Sequence, residues 1–513
     1  MNYVDLFRAT LPETALEIAA LLVIVVDLGF LRKAAAKTRI AGAALVGVAG
    51  CAAALWAVYA AGWTGLSNGS YLLLAAGGSA AVAQIAILVL TALTLLLLID
   101  SDFTRNPGEY VSVVLMAAAG GMIVAAAQDL LVIFVGLELL SLGLYILTAF
   151  AKQSGKSAEA AMKYYLFGGM SAAFLLFGFS YLYGLSGSTN LELITRCAYF
   201  QSFLGVSPLL VIALAMIAVG LGFKVAAVPF HFWAPDTYEG APAPAAAFIA
   251  SVSKVASFTL LISISQTAAT VYLKALAYWF GLGPNVWGTR DLWSLVLVVL
   301  AAASMVFGNL AALAQSSVRR LLAYSAIAHA GYILLGLAFF GWTNLSAQAI
   351  LYYIVTYGLT TIGAFGVVDV VERATGSDKL DSFLGLQKRN PLLAAVLLVL
   401  FLSLAGIPPL VGFWAKFNLF AAVLSMSGGN MRMGEAVLPL ALVALAIAFS
   451  AVSLYYYLQV LKRAYVMPAT DGTPIKAHPV TLAVLLVIAA AVVALGCFPA
   501  VLQSWIASFY AAS

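Results

Sequence analysis

A stretch of 60 residues between Arg39 and Asp100 contains no Asp, Glu, Lys, Arg or His. A helix needs about 20 mostly apolar residues to cross the hydrocarbon core of a bilayer, so this stretch is long enough for two or three crossings. Over the whole chain, 64% of the 513 residues are hydrophobic and 9% are charged. Soluble domains carry about 25% charged residues. The sequence therefore excludes a soluble enzyme and predicts a polytopic membrane protein.

The apolar runs have the length of helices, whereas a membrane barrel would show alternating segments of about 10 residues. We therefore predict an all-α protein with about fourteen transmembrane helices. The first run is followed by Arg32, Lys33, Lys37 and Arg39, whereas a cleaved signal would have its basic residues in front and a small-residue cleavage site behind, so we predict an uncleaved first helix. The runs lie near 11–31, 40–61, 77–99, 109–127, 129–150, 161–185, 207–234, 243–269, 292–314, 319–340, 346–371, 391–427, 436–463 and 479–508.

Two segments predict an internal repeat, FKVAAVPFHFWAPD and LAGIPPLVGFWAKF, because each has a proline break followed by Phe-Trp-Ala. An odd number of helices separates them, as expected for two inverted five-helix repeats with broken helices at matching places. Their lysines are not in equivalent register, since Lys224 precedes its break and Lys416 follows its own. The predicted division is a three-helix segment (1–108), a first repeat (109–269), a second inverted repeat (292–463) and a C-terminal helix (479–508).

The distribution of basic residues predicts the orientation, because cytoplasmic loops are enriched in Lys and Arg. Five basic residues fall on one side of the predicted membrane: Arg8, Arg196, Lys274, Arg290 and Arg432. Sixteen fall on the other: Arg32, Lys33, Lys37, Arg39, Arg105, Lys152, Lys156, Arg319, Arg320, Arg373, Lys379, Lys388, Arg389, Lys462, Arg463 and Lys476. We therefore expect both termini of this multi-pass protein outside the cytoplasm.

No recognisable cofactor motif is present in the sequence. Cys51, Cys197 and Cys497 are far apart and form no CxxC or Cys/His cluster. GxGxxG in a strand-to-helix setting, a P-loop and a GxSxG elbow are also absent. We expect no metal and no cofactor in this chain, and the small net charge of +5 gives no indication of nucleic-acid binding.

Six titratable residues stand in or beside apolar runs: Glu138, Lys163, Lys224, Lys254, His329 and Lys416. A charge at the bilayer centre costs at least about 2.5 kcal/mol, so each needs a polar partner or a function. Pro229 cannot donate to the carbonyl of Val225, which predicts a break beside Lys224. Lys416 lies eight residues after Pro408 and is also close to a predicted break. Broken helices at membrane depth line cavities or ion paths.

Each candidate also has a structural alternative. Glu138 could be neutralised by one basic neighbour, and Lys163 could form an exposed pair with Glu159 one turn earlier. Lys254 could extend to a membrane interface, although Ser251 and Ser257 share its helix face. His329 could be a neutral core histidine bonded to a serine or tyrosine.

Four other polar residues lie near breaks or span ends. His231 could take part in a proton path or cap the broken segment. We expect interfacial positions for Asp27, Asp129 and His478.

The six residue types are suited to proton transfer. Burial favours the neutral form of a lysine, and a nearby carboxylate favours its charged form. When the carboxylate moves or is neutralised, the lysine releases its proton. A chain of such groups across a membrane would let the state of one ion pair bias the next.

Seven segments together resemble the antiporter-like membrane subunits of respiratory complex I and of multi-subunit cation/proton antiporters. They are LPETALEIAALLVIVVDL, FVGLELLSLGLYIL, EAAMKYYLFGG, GFKVAAVPFHFWAPDTYEGAP, SVSKVASF, RRLLAYSAIAHAGYILLG and LAGIPPLVGFWAKF. The resemblance implies that protons enter at Glu138 and Lys163 and that Lys224 is the central carrier. It also implies that Lys254 and His329 continue the path and that Lys416 leads to the far side or to the next subunit.

The opening segment and Lys416 favour the complex I branch, in which the chain would translocate protons while other subunits pass electrons from NADH to quinone. The resemblance then implies NADH, FMN, iron-sulfur clusters and quinone in partner subunits. Partners would be the peripheral redox arm and the membrane subunits M and K as nearest, with L, A, J and H. The alternative is a subunit of a cation/proton (Na+/H+) antiporter. A stand-alone solute transporter is disfavoured because the sequence shows no evident substrate pocket. A membrane scaffold is disfavoured because it gives no reason for several intramembrane lysines.

Overall fold

The computed structural model describes residues 7–62, 73–75, 77–101, 103–202, 208–269, 292–339, 344–425, 433–469 and 473–511. In this part of the chain nearly every residue is helical, and no β-strand is present. The predicted all-α class is therefore confirmed. Lys274, Arg290 and Arg432, which contribute to the predicted orientation, lie outside the described residues.

The N-terminal part of the molecule consists mostly of long helices. A π-helical turn, Val26–Phe30, extends the first of them. The helices are α1 (Leu11–Val25), α2 (Ala36–Gly62), α3 (Gly78–Leu98), α4 (Pro107–Ala126), α5 (Leu130–Thr148), α6 (Gly155–Ser186) and α7 (Leu191–Ser202).

The first broken helix follows, as α8 (Pro208–Lys224) and the short α9 (Trp233–Gly240). The next span consists of α10 (Ala243–Phe248), a π-helical turn at Ile249–Ser253, and α11 (Lys254–Ala269). Lys224 therefore ends one helix and Lys254 begins another after a change of helical register.

The described remainder of the chain contains nine more α-helices. The helices are α12 (Leu292–Leu313), α13 (Val318–Ala338), α14 (Asn344–Thr375), α15 (Leu386–Arg389), α16 (Pro391–Ala405), α17 (Val411–Ser425), α18 (Met433–Tyr465), α19 (Pro479–Cys497) and α20 (Pro499–Ala511). The single predicted run 479–508 is thus two helices, because the helix ends at Cys497, directly before Phe498 and Pro499.

Eleven helices in the described part of the chain are long and apolar enough to cross a membrane. Three further helices, α8, α16 and α17, are also apolar but shorter. The protein is therefore a multi-pass membrane protein, with the long apolar helices that the sequence predicts.

Helices α12 and α13 pack with their backbones in close approach. A Cβ added at Gly308 would lie 2.7 Å from the backbone nitrogen of Ala328, and one added at Gly331 would lie 2.7 Å from that of Met305. Small residues allow membrane helices to approach in this way. The contact fixes the segment of α13 that carries His329.

Candidate functional site

Lys224 lies at the first helix break, as the sequence predicts. It is the last residue of α8, and the chain stays irregular until α9 begins at Trp233. Ala226, in the break, has a positive φ of 57°, a conformation that costs a non-glycine residue about 1 kcal/mol. The Lys224 side chain is buried, and its Nζ donates a hydrogen bond to Ser141 Oγ on α5. A buried lysine thus faces a hydroxyl at a point where the helix is interrupted.

Glu138 lies on α5 one turn before Ser141 and is half-buried. It is close enough to Lys224 for an electrostatic interaction. Within the described chain it forms no hydrogen bond or ion pair, and none joins it to Lys163. The structure therefore places Glu138 with Lys224 and does not bring it together with Lys163.

Lys254 connects the first break to α13. Its Nζ donates to the carbonyl of Val225 at 3.3 Å and to that of Ala326 at 2.7 Å. The Val225 carbonyl is the one that Pro229 leaves without a helical partner, so the lysine replaces the missing backbone donor. Lys254 is only 3% exposed and does not extend to an interface. Neither nearby serine bonds it, because Ser251 donates to Ala247 and Ser257 has no partner among the described residues.

His329 lies on α13. Its ring is buried, and Nδ1 is 2.7 Å from the hydroxyl of Tyr353. The ring of Tyr357 packs against it with centroids 4.9 Å apart. Both Lys254 and Lys416 are near enough to interact with it electrostatically. The bond to Tyr353 fits a neutral core histidine, which was the structural alternative for this residue. The position near two lysines also suits a proton carrier.

Lys416 lies at the second helix break. Helix α16 ends at Ala405, Gly406 has a φ of +87°, and α17 begins at Val411. Nζ of Lys416 donates to the carbonyls of Leu404 at 3.1 Å and Ala405 at 2.9 Å, and to Ser450 Oγ at 2.9 Å. The last carbonyls of a helix lack intrahelical donors, so the lysine satisfies two of them.

Lys163 differs from the three buried lysines, because 42% of its side chain is exposed. Its Nζ lies 2.7 Å from Glu159, one turn earlier on α6, and 2.8 Å from Asp236 on α9. The exposed pair with Glu159 is the structural role that the sequence suggested for Lys163 as an alternative to proton transfer. The second contact, to Asp236, was not expected.

The remaining sequence candidates have local roles. The buried carboxylate of Asp27 forms two hydrogen bonds with Arg39, Asp129 caps the N-terminus of α5 and His478 caps that of α19. His231 lies in the first break, where its ring packs against Phe307. Its buried Nδ1 has no partner in the described chain, which leaves both of its possible roles open.

Sequence reasoning missed a cluster of ion pairs around α9. Arg320 Nη1 lies 2.7 Å from Asp236 and 2.9 Å from Glu239. With Lys163, these side chains line an open cavity of about 160 Å³. The sequence does contain two acids in WAPDTYEG and the consecutive arginines Arg319 and Arg320. Because 84 residues separate Asp236 from Arg320, the sequence gives no indication that they pair.

The charge state of Asp236 follows from this cluster. Partial burial raises its pKa, but hydrogen bonds from Lys163 and Arg320 lower it, and the pKa of this carboxyl lies below its ordinary value of 3.8. Asp236 is therefore ionised near neutral pH and holds one cation on each oxygen atom.

Taken together, the buried bases are suited to moving protons. Lys224, Lys254, His329 and Lys416 occupy two helix breaks and the space between them, and their bonded partners are hydroxyl and carbonyl oxygens. Within the described residues, no group of three His, Cys, Asp or Glu side chains could hold a metal ion.

Residues 127–439 match the family model described as NADH:quinone oxidoreductase/Mrp antiporter, transmembrane. The chain is 46% identical to NADH-quinone oxidoreductase subunit N 2 of Acidobacterium capsulatum, over 99% of both chains. It is 39% identical to NADH-quinone oxidoreductase subunit N 1 of Roseiflexus castenholzii, over 81% of this chain and 76% of that one.

Solved structures are similar over nearly the full length. A chain of respiratory complex I from Thermus thermophilus is 32% identical, with a TM-score of 0.74, over 96% of this chain and 98% of that one. A chain of the Mrp complex from Dietzia sp. has a TM-score of 0.76 over 97% of this chain and 96% of that one, at 20% identity. The second similarity concerns the fold alone.

Proposed function

The chain belongs to the NADH:quinone oxidoreductase/Mrp antiporter family of membrane proteins, and we propose on that premise that it is the proton-translocating N subunit of an NADH-quinone oxidoreductase. Its PETALE segment favours the N subunit. Lys416 favours N over the M subunit, which typically has a glutamate there. The subunit N names of the relatives support the same choice.

The observation that carries the proposal is the series of buried bases at two helix breaks. Lys224 at the first break is followed by Lys254, which contacts that break and α13. His329 on α13 follows, and Lys416 lies at the second break. In the proposed mechanism each base takes up a proton and passes it on when the charge of its neighbour changes.

Protons would reach this series from the side of Glu138 and Lys163. The electrostatic proximity of Glu138 to Lys224 supports a role for Glu138 as the acidic partner of the central carrier. Lys163, which is partly exposed and bonded to Glu159 and Asp236, is proposed to act earlier, at the water-accessible end.

We extend the proposal to the organisation of the chain. Residues 1–108 form the N-terminal segment, 109–269 and 292–463 the two inverted repeats, and 479–508 the C-terminal segment. The breaks after Lys224 and Ala405, one in each proposed repeat, support this division.

Electron transfer would take place in other subunits, which would hold NADH, FMN, iron-sulfur clusters and quinone. The chain would lie in the membrane arm of the complex, in a bacterial plasma membrane with both termini periplasmic. M and K are the proposed nearest neighbours, and L, A, J and H are further partners.

The first test is purification of the chain from its native membrane in mild detergent, followed by a native gel stained for NADH oxidation and by mass spectrometry of the band. Co-migration with an NADH-oxidising assembly that contains quinone-site subunits is expected. Recovery with antiporter-type chains alone, without redox activity, would contradict the proposal and favour sodium/proton exchange.

The second test addresses the buried bases. In membranes containing the Lys224→Ala variant, NADH-driven proton pumping is expected to fall by at least about tenfold, since the central carrier is lost. Lys152→Ala, which removes an exposed lysine outside the proposed path, is the matched control and should pump at the normal rate. An unchanged pumping rate in Lys224→Ala would refute the proposed path.

A further inference from the structure

The short helix α9 lies between the first helix break and a set of charged residues on other helices. Its Asp236 pairs with Lys163 of α6 on one oxygen and with Arg320 of α13 on the other, at 2.8 and 2.7 Å. Its Glu239 also pairs with Arg320, at 2.9 Å. These contacts bring α9 of the first proposed repeat against α13 of the second.

A second arginine binds the C-terminal end of the same short helix. Arg319 Nη1 donates to the carbonyl of Glu239 at 3.0 Å, and Nη2 donates to that of Ala241 at 2.6 Å. The end of a helix leaves such carbonyls without intrahelical donors. Arg319 is 5% exposed and also lies 3.5 Å from Glu372 on α14. Consecutive arginines at the start of α13 therefore bind both the side chains and the backbone of α9.

The same helix α13 also reaches the other side of the break. Two turns after Arg319, its Ala326 carbonyl accepts a hydrogen bond from Lys254, whose Nζ also bonds Val225. Both ends of the irregular segment 225–232 are therefore linked to α13. At one end Lys254 bonds both Val225 and α13. At the other end Arg319 and Arg320 of α13 bind α9. A displacement of α9 along α13 would change the geometry of the break that follows Lys224.

We propose that Asp236 is a positioning residue, held between Lys163 and Arg320, which keeps α9 against α13 and so maintains the break beside Lys224 in a geometry that transfers protons. This inference rests on the proposed function. A rearrangement of the ion pairs that Lys163 forms with Glu159 and Asp236 alters the force on Asp236, and α9 transmits that change to the break. The ion pairs thereby couple the water-exposed lysine to the buried carrier and the first repeat to the second.

The test uses the intact complex with Asp236→Asn, Arg320→Gln and the double variant. Each single variant is expected to lower NADH-driven proton pumping about fivefold, within the range of coupling changes caused by residues outside a site. Because the two side chains share one ion pair, the double variant should lose less than the product of the two single losses. Asp236→Glu, which keeps the charge, should restore most of the rate.

Two readouts separate positioning from a loss of structure. The amount of assembled complex, and its NADH oxidation with a water-soluble acceptor that bypasses quinone, should stay normal in all variants. Lys152→Gln, an exposed lysine outside the cluster, is the control. A fall in assembled complex that accounts for the whole loss of pumping would overturn the inference, as would a failure of Asp236→Glu to restore it.

Lys224→Ala is measured in parallel. If Lys224→Ala stops pumping and Asp236→Asn pumps normally, the positioning role is wrong and the proposed function stands. If Lys224→Ala pumps normally, the proposed function itself is wrong.

Discussion

At the scale of single residues, the three buried lysines are bonded by neutral oxygen atoms. Lys224 donates to a serine, Lys254 to two backbone carbonyls, and Lys416 to two carbonyls and a serine. Such acceptors stabilise an ammonium group without neutralising its charge, whereas a bonded carboxylate would favour retention of the proton. Neutral partners therefore suit groups that must both accept and release a proton.

Lys254→Met should reduce function much more than stability. The change removes the cost of burying an ammonium group but leaves the carbonyls of Val225 and Ala326 without their donor, so the two effects should nearly cancel and the stability should change by no more than about 1 kcal/mol. Proton pumping should fall by at least about tenfold. The midpoint of thermal unfolding of the purified complex and the pumping rate are measured together, with Lys152→Met as control. A large drop in the unfolding midpoint would contradict the prediction.

Asp236 allows a prediction about pH. Its pKa is lowered in the folded protein, so its contribution to stability is present above the unfolded pKa and is lost only as the pH falls through the folded pKa. The carboxylate therefore stays charged throughout the range from about pH 5 to 8. Asp236→Asn should lower the pumping rate by the same factor across this range. A change in the shape of the pH profile would show that Asp236 itself titrates there.

At the scale of helices, proline breaks were the most predictable feature. Pro229 removes a donor, so an interruption near Lys224 follows from covalent structure alone. The burial of Lys254 and Lys416 could likewise be predicted, because they stand in apolar runs. The electrostatic proximity of Glu138 to Lys224 rather than a pair with Lys163 could not be predicted, since it depends on how α5 and α6 rotate against α8. Asp236 and Arg320 were missed for a similar reason, as packing alone brings them together.

Helix α19 supports the second break through a close backbone contact. A Cβ added at Gly496 would overlap the carbonyl oxygen of Pro409, and the Gly496 carbonyl accepts a hydrogen bond from the indole of Trp414 at 2.8 Å. Gly496→Ala is expected to push α19 away from the break and to lower the stability by about 2 kcal/mol.

The thermal unfolding midpoint and proton pumping of the Gly496→Ala complex should both decrease, because the displaced break carries Lys416. Gly184→Ala is the matched control. A Cβ at Gly184 meets nothing within 4 Å, so alanine there should be neutral or slightly stabilising. Equal behaviour of the two variants would show that the contact at Pro409 does not support the break.

At the scale of the whole molecule, the excess of basic residues on one side predicts that the turn before α16 faces the cytoplasm and that the C-terminal helix faces outward. Lys388 lies in the segment before α16 and Ser508 lies in the C-terminal helix, and both residues are exposed. Between them lies α19, whose 19 residues span about 28 Å. In a variant with Cys51, Cys197 and Cys497 replaced by serine, Ser508→Cys should react with a membrane-impermeant maleimide in intact cells. Lys388→Cys should react only after the membrane is opened. Reaction of Lys388→Cys in intact cells would reverse the proposed orientation, and with it the direction in which the series from Lys224 to Lys416 crosses the membrane.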